Sequence, residues 1–167
     1  YTDQGVSKDH IGDDFVPSRF TITKLYQRDG NENRPSVLAA MNQGMHIINH
    51  DGHAWSDVIS VGGSMINNGD IDGLTNGLES SILYSIGCWQ AAFDRDSIAE
   101  RFINNPNGGG VAWIGNSRYG WGAMGEPGFG YSDRFDRGFY EFLFERNEYH
   151  IGAIQALAKA VYAPFSH

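Results

Sequence analysis

From residue 19 to residue 26 the chain alternates polar and apolar positions (Arg-Phe-Thr-Ile-Thr-Lys-Leu-Tyr), the period-two pattern of a half-buried strand. Asp29-Gly30-Asn31 then supplies turn residues. Pro35 suits a first helical position, and Val37, Leu38 and Met41 share one helical face before Gly44 ends the segment. Three short apolar runs follow, at residues 45–49, 81–87 and 111–115, and each reads as a buried strand. Between the last two, Ser97-Ile-Ala-Glu100 is a capping box that opens a helix ending near Asn104, and residues 105–110 form a turn cluster. Residues 116–133 are rich in glycine and aromatics without any period, as in a long ordered loop. Phe135, Phe139, Phe142 and Leu143 make one helical stripe. Ile151, Ile154, Leu157, Ala158, Val161 and Phe165 make another. The acidic residues among the first of these stripes read as its solvated face. The polar stretch before residue 18 predicts no element.

Short apolar strands alternating with helices predict an α/β fold with a parallel sheet. Sites in such sheets gather beyond the carboxyl ends of the strands. Two strand ends here carry reactive residue types: His50-Asp51-Gly52-His53-Ala54 after the first apolar run, and Gly87-Cys88 at the end of the second. Parallel neighbours need a crossover of a dozen residues or more, and residues 54–80 are long enough to make one. His53 and Cys88 then emerge at the same sheet edge. A thiolate attacks a carbonyl, and an imidazole beside it helps form the thiolate and later protonates the leaving amine. Backbone N–H groups of the two loops are the natural holders of the oxyanion.

Composition narrows the field. A chain of 167 residues is one domain or a piece of one. A net charge of −8 with only 12 Lys+Arg makes nucleic acid an unsuitable partner. No apolar run approaches the ~18 residues of a membrane helix. The first ten residues lack a basic-then-apolar signal, so any export signal is expected outside this chain. A lone cysteine excludes a disulfide framework and a four-cysteine zinc site. His50, His53 and Cys88 together offer three zinc ligands, but a turn does not fix their spacing as a helix would. Asn68, Asp70, Asp72 and Glu79 follow calcium-loop spacing and are kept as a candidate calcium site against the alternative of a solvated loop. The G-x-G-x-x-G match from Gly120 to Gly125 does not open a helix, so it is not read as a dinucleotide fingerprint.

The residues around the histidine and the cysteine carry a family signature. Ile48-Asn49-His50-Asp51-Gly52-His53 resembles the apolar strand and Gly-His of the gingipain-type cysteine peptidases, whose clan includes caspases, legumains and clostripain. Ser85-Ile86-Gly87-Cys88, continued by Phe93-Asp94, resembles the strand and small-residue-Cys block of the same family. The helix, turn and strand that follow it match residues 98–103, 105–109 and 111–118 in order, and the likeness runs from about Phe20 to the C-terminus.

This resemblance implies a caspase-like, mostly parallel sheet flanked by helices. It implies Cys88 as nucleophile, His53 as general acid and base, and the amides of Ala54 and Cys88 as oxyanion donors. The family commonly has glycine where Ala54 stands, and alanine tolerates positive φ poorly. Trp121 is placed like an aromatic wall of the substrate pocket. The implied activity is endopeptidase cleavage of protein or peptide substrates through a thioester, with a basic P1 residue as the leading expectation and no required cofactor. The family's full catalytic domain has further strands upstream, so residues 1–167 are expected to be the C-terminal part of one domain in a longer, secreted or cell-surface bacterial protein. The competing reading is an inactive peptidase-like or binding module that stacks ligands on Trp55, Trp89, Trp113 and Trp121.

Overall fold

The computed structural model describes residues 3–165. Two compact units divide the chain: residues 24–120, and the residues before 24 together with those from 121 onward.

The 24–120 unit is an α/β body around a parallel three-stranded sheet. Its first helix is α2 (Arg34–Asn42), which follows α1 (Gly5–Asp14) of the other unit. Asn33 caps α2 by accepting from the Ser36 N–H, and a proline sits in its first turn. Strand β1 (Ile47–His50) pairs in parallel with β5 (Ser81–Ser85), and β5 pairs in parallel with β6 (Gly110–Gly115). The sheet order is therefore β1-β5-β6. The two apolar runs expected to be parallel neighbours are so, with His50 opposite Ser85 at the carboxyl edge. Helix α4 (Ile98–Asn104) begins where the capping box predicts, with Ser97 Oγ accepting from the Glu100 N–H.

The crossover from β1 to β5 is more than a connection. It holds an antiparallel sheet, β2 (Ala54–Trp55), β3 (Val58–Val61) and β4 (Ser64–Asn67), followed by the short helix α3 (Asn68–Asp72). Ile59, Ile66, Leu83, Ile98 and Phe102 from both sheets and α4 are all but inaccessible and make one core. Burying each such side chain stabilises the fold by about 1.5–3 kcal/mol. The hairpin sheet is therefore clamped to the parallel one.

The other unit is helical. Helix α5 (Tyr131–Tyr140) runs into a π-helical turn (Glu141–Glu145), and α6 (Ile151–Tyr162) packs on α5. The helices form where the two stripes predict, but only part of the second stripe is buried: Ile154 and Ala158 are covered, while Leu157, Val161 and Phe165 are exposed. The acidic residues of α5 do not form a solvated face. Asp133 and Asp136 are both 0% exposed. Asp133 accepts from the Gly130 N–H at the start of its own helix, and Asp136 is ion-paired with Lys8 of α1. A buried carboxylate needs such partners, and the stripe alone does not reveal them.

Two further expectations are corrected. Residues 19–26 form no strand. The Tyr26 N–H donates to Asn31 Oδ1 (2.7 Å), and Asn31 Nδ2 donates to the Lys24 carbonyl (3.1 Å), so a side chain takes the groups a ladder would need. The polar stretch before residue 18 contains α1, which buries only Ser7 and Ile11 and so shows no stripe in sequence.

Candidate active site

The carboxyl edge of β1 and β5 places the two candidate loops side by side. After His50 the chain turns through residues 51–53 into β2, and the His53 carbonyl accepts from the Ser60 N–H of β3 (2.8 Å). The imidazole of His53 is exposed. After β5 the chain turns through Ile86, Gly87, Cys88 and Trp89. Gly87 lies so close to the histidine loop that a Cβ built there would sit 2.6 Å from the Ala54 Cβ and 2.9 Å from the Gly52 carbonyl oxygen. The indoles of Trp55 and Trp89 meet at 5.1 Å between centroids. These residues stand two places after His53 and one place after Cys88. The two loops are therefore in direct contact next to both candidate residues.

Cys88 is partly buried. Its Sγ accepts from the Gly120 N–H (3.5 Å) and lies 3.8 Å from the Gly120 carbonyl. Trp89 has φ 60°, a left-handed conformation that a bulky residue adopts at a cost of about 1–3 kcal/mol. Its N–H donates to the Arg118 carbonyl (2.7 Å), which helps hold the strained turn. Ala54 is in β2 and is not among the residues with positive φ, so its Cβ meets no backbone penalty.

Side-chain amides brace the cysteine turn from beneath. Gln90, 0% exposed, donates from Nε2 to the carbonyls of Ser85 (3.0 Å) and Gly87 (2.8 Å), and its Oε1 accepts from Trp113 Nε1 (2.6 Å). Asn116 Nδ2 donates to the carbonyls of Ile86 (2.8 Å) and Gly87 (3.0 Å). Three successive carbonyls at the strand end are thus satisfied, as buried backbone acceptors require.

His50 is also structural. Its Nε2 faces the Ser60 carbonyl at 2.7 Å, so that nitrogen carries the proton. In the neutral ring Nδ1 then accepts from the Ser85 hydroxyl (2.8 Å), whose oxygen in turn accepts from the Gly87 N–H (3.3 Å). One buried imidazole joins β1, β3, β5 and the residue before Cys88.

Sequence reasoning singles out Cys88, His53 and Ala54 but misses Gln90, Asn116 and His50 as supports. The readable signal for Gln90 is a lone amide before two alanines just past a strand end. Trp113, one of the four tryptophans offered as a ligand platform, packs edge-on against Phe102 in the core. Trp121 belongs to the helical unit, is 62% exposed, and donates its N–H to Ser132 Oγ (2.9 Å). The candidate calcium ligands lie on and after α3. Asp70 is bonded to Arg34, and Asp72 lies 3.3 Å from an Arg101 nitrogen. Among the described residues no group of three or more His, Cys, Asp or Glu side chains is placed to hold a metal ion.

A parallel α/β sheet with a cysteine turn and a histidine loop packed together at its carboxyl edge has the layout of a caspase-like cysteine peptidase. The chain matches the sequence model of Peptidase family C25 over residues 3–166, nearly its whole length, and it belongs to that family, the gingipain family. Membership supports a cysteine peptidase, a hydrolase with protein substrates. Neither a curated protein nor a solved structure matched the chain. No helix among the described residues is long and apolar enough to cross a membrane.

Proposed function

We propose that this protein is a cysteine endopeptidase in which Cys88 is the nucleophile and His53 the general acid and base. The observation that carries the reading is the packing of the two loops, Trp55 on Trp89 and Ala54 on Gly87. His53 takes the thiol proton as Sγ attacks the scissile carbonyl carbon. The resulting oxyanion accepts from the amides of Ala54 and Cys88. As the C–N bond breaks, His53 gives its proton to the leaving amine and a thioester remains. His53 then deprotonates a water that attacks the thioester. The new acid departs and the thiol is restored. A basic P1 residue is the specificity that family resemblance suggests.

The test uses the natural full-length protein. Iodoacetamide should label Cys88 rapidly at neutral pH, and His53→Ala should slow the labelling without lowering the melting temperature, because the ring is exposed. Cys88→Ala should abolish turnover of a fluorogenic panel with Arg, Lys, Asp or Asn at P1, with Arg and Lys preferred in the wild type. Labelling only after denaturation would remove the nucleophile and leave a binding module. Protection lifted by a chelator would point instead to a metal-bound thiol.

A further inference from the structure

The surface beside Cys88 carries a cation on an aromatic floor. Trp89 packs against Trp55, and Tyr119 meets Trp89 edge-on at 5.7 Å. Two guanidinium groups lie over these rings. Arg118 is 4.7 Å from the Trp89 centroid, and both its terminal nitrogens reach the Asp94 carboxylate, at 3.1 and 3.3 Å. Arg95 is 4.9 Å from Trp89 and 5.7 Å from Trp55. It is exposed and makes no direct ion pair among the described residues; Asp94, which feels its charge, is hydrogen-bonded to Arg118 instead. Trp55 is 42% and Tyr119 58% exposed, so the floor itself is open to solvent.

An arginine lying over aromatic rings keeps its edge N–H groups available in a fixed plane, where a carboxylate binds through two parallel hydrogen bonds. The two rings restrain the side chain, so less rotamer freedom is lost on binding. In a chain of net charge −8, this places an exposed cation on Trp89, the residue after Cys88, and on Trp55, two residues after His53.

We propose that Arg95, seated on Trp55 and Trp89, forms a subsite for a substrate carboxylate, the side chain of Asp or Glu at a position flanking the scissile bond. The inference rests on the peptidase reading for its position relative to the bond cut, but not for the binding itself. A basic residue at P1 and an acidic one at a neighbouring position are compatible, because they use different groups.

The experiment walks a single Glu, paired with Gln as control, through the positions flanking P1 of a peptide substrate. For the wild type, kcat/KM should favour Glu over Gln by about 2–5-fold at one position, in low salt, and the ratio should shrink at high salt. Arg95→Gln should bring the ratio to about one, and Arg95→Lys should leave an intermediate value. A binding arm uses the Cys88→Ala protein and the same peptides, read by tryptophan fluorescence, so that it does not depend on cleavage. Binding that discriminates Glu from Gln through Arg95, without cleavage by the wild type, would uphold the subsite and refute the peptidase. Cleavage with a Glu/Gln ratio near one at every position, or one unchanged in Arg95→Gln, would refute the subsite and leave the peptidase standing. A lower melting temperature in Arg95→Gln with the ratio intact would make the stack structural only and also overturn the proposal.

Discussion

Replacing Gly87 by alanine attacks the contact on which the proposed mechanism depends. The new Cβ would meet the Ala54 Cβ at 2.6 Å and the Gly52 carbonyl oxygen at 2.9 Å. Carbon atoms pack at about 3.5–4.0 Å, so the loops must separate by roughly 1 Å. Overpacking of this kind costs about 1–3 kcal/mol. At about 2–4 °C per kcal/mol for a chain of this size, the melting temperature falls by several degrees, and the protein stays folded. The effect on reactivity is larger than the effect on stability. A misplacement of about 1 Å between reacting groups costs on the order of 100-fold in rate. We expect kcat/KM of Gly87→Ala to drop by about that factor, with slower labelling of Cys88 by iodoacetamide in the folded protein. Ala54→Gly removes the closer of the two clashes. Added to Gly87→Ala, it should recover part of the loss, giving a coupling of about 0.5–3 kcal/mol in a double-mutant cycle. A Gly87→Ala protein with wild-type turnover and labelling would refute the claim that this packing aligns the reactive pair.

Three other outcomes follow from the geometry. His50→Leu takes the imidazole donor from the Ser60 carbonyl and the acceptor from the Ser85 O–H, whose oxygen keeps only the Gly87 N–H, and an unmade buried bond costs about 1–3 kcal/mol; urea unfolding should show the loss, and an unchanged midpoint would contradict it. The Arg34 hydrogen bond lowers the Asp70 carboxyl below its ordinary range, so the stability Asp70 adds is present above the unfolded value near ~3.9 and is lost as pH falls through the lower folded value. Because Arg34 is half-exposed, Asp70→Asn should cost no more than about 1 kcal/mol at pH 7, with the difference from wild type closing in acid; a gap that widens in acid would reverse the assignment. Calcium at residues 68–79 must compete with Arg34 and Arg101 for Asp70 and Asp72, so millimolar calcium should leave the melting temperature unchanged, and a clear rise would establish the site.

The parallel strands and most helices were legible because their patterns are local. The apolar runs before His50 and Cys88, the Ser97 capping box and the stripe from Ile151 each announce one element. The pairing of β1 with β5 is one that the length of residues 54–80 permits but does not dictate. The hairpin sheet was not read, although Gly62-Gly63 between β3 and β4 is a two-residue turn signal and Gly62 takes φ 58°. Its strands are short, and β2 has only two residues, so no period emerges. The supports of the candidate site were less legible still. Asn116 and His50 bond to groups 10–35 residues away, Gln90 is held by Trp113 at 23, and no spacing rule encodes such partners. Asp136 is buried for the same kind of reason, its partner Lys8 lying at the other end of the chain.

The amides beneath the cysteine turn also set an order of events during synthesis. Asn116 reaches back 30 residues to Ile86, and Trp113 reaches back 23 to Gln90. At the ~5–20 residues per second of translation, these partners emerge seconds after Cys88 does. Until then the Ile86 carbonyl lacks its Asn116 donor, β6 has not docked, and Gly120 is not beside the sulfur, although Gln90 is already in place to reach the Ser85 and Gly87 carbonyls. The thiol therefore matures only after the strand that follows it has been made. A truncation before residue 113 would leave Cys88 present without β6 and the loop after it, which pack around its turn.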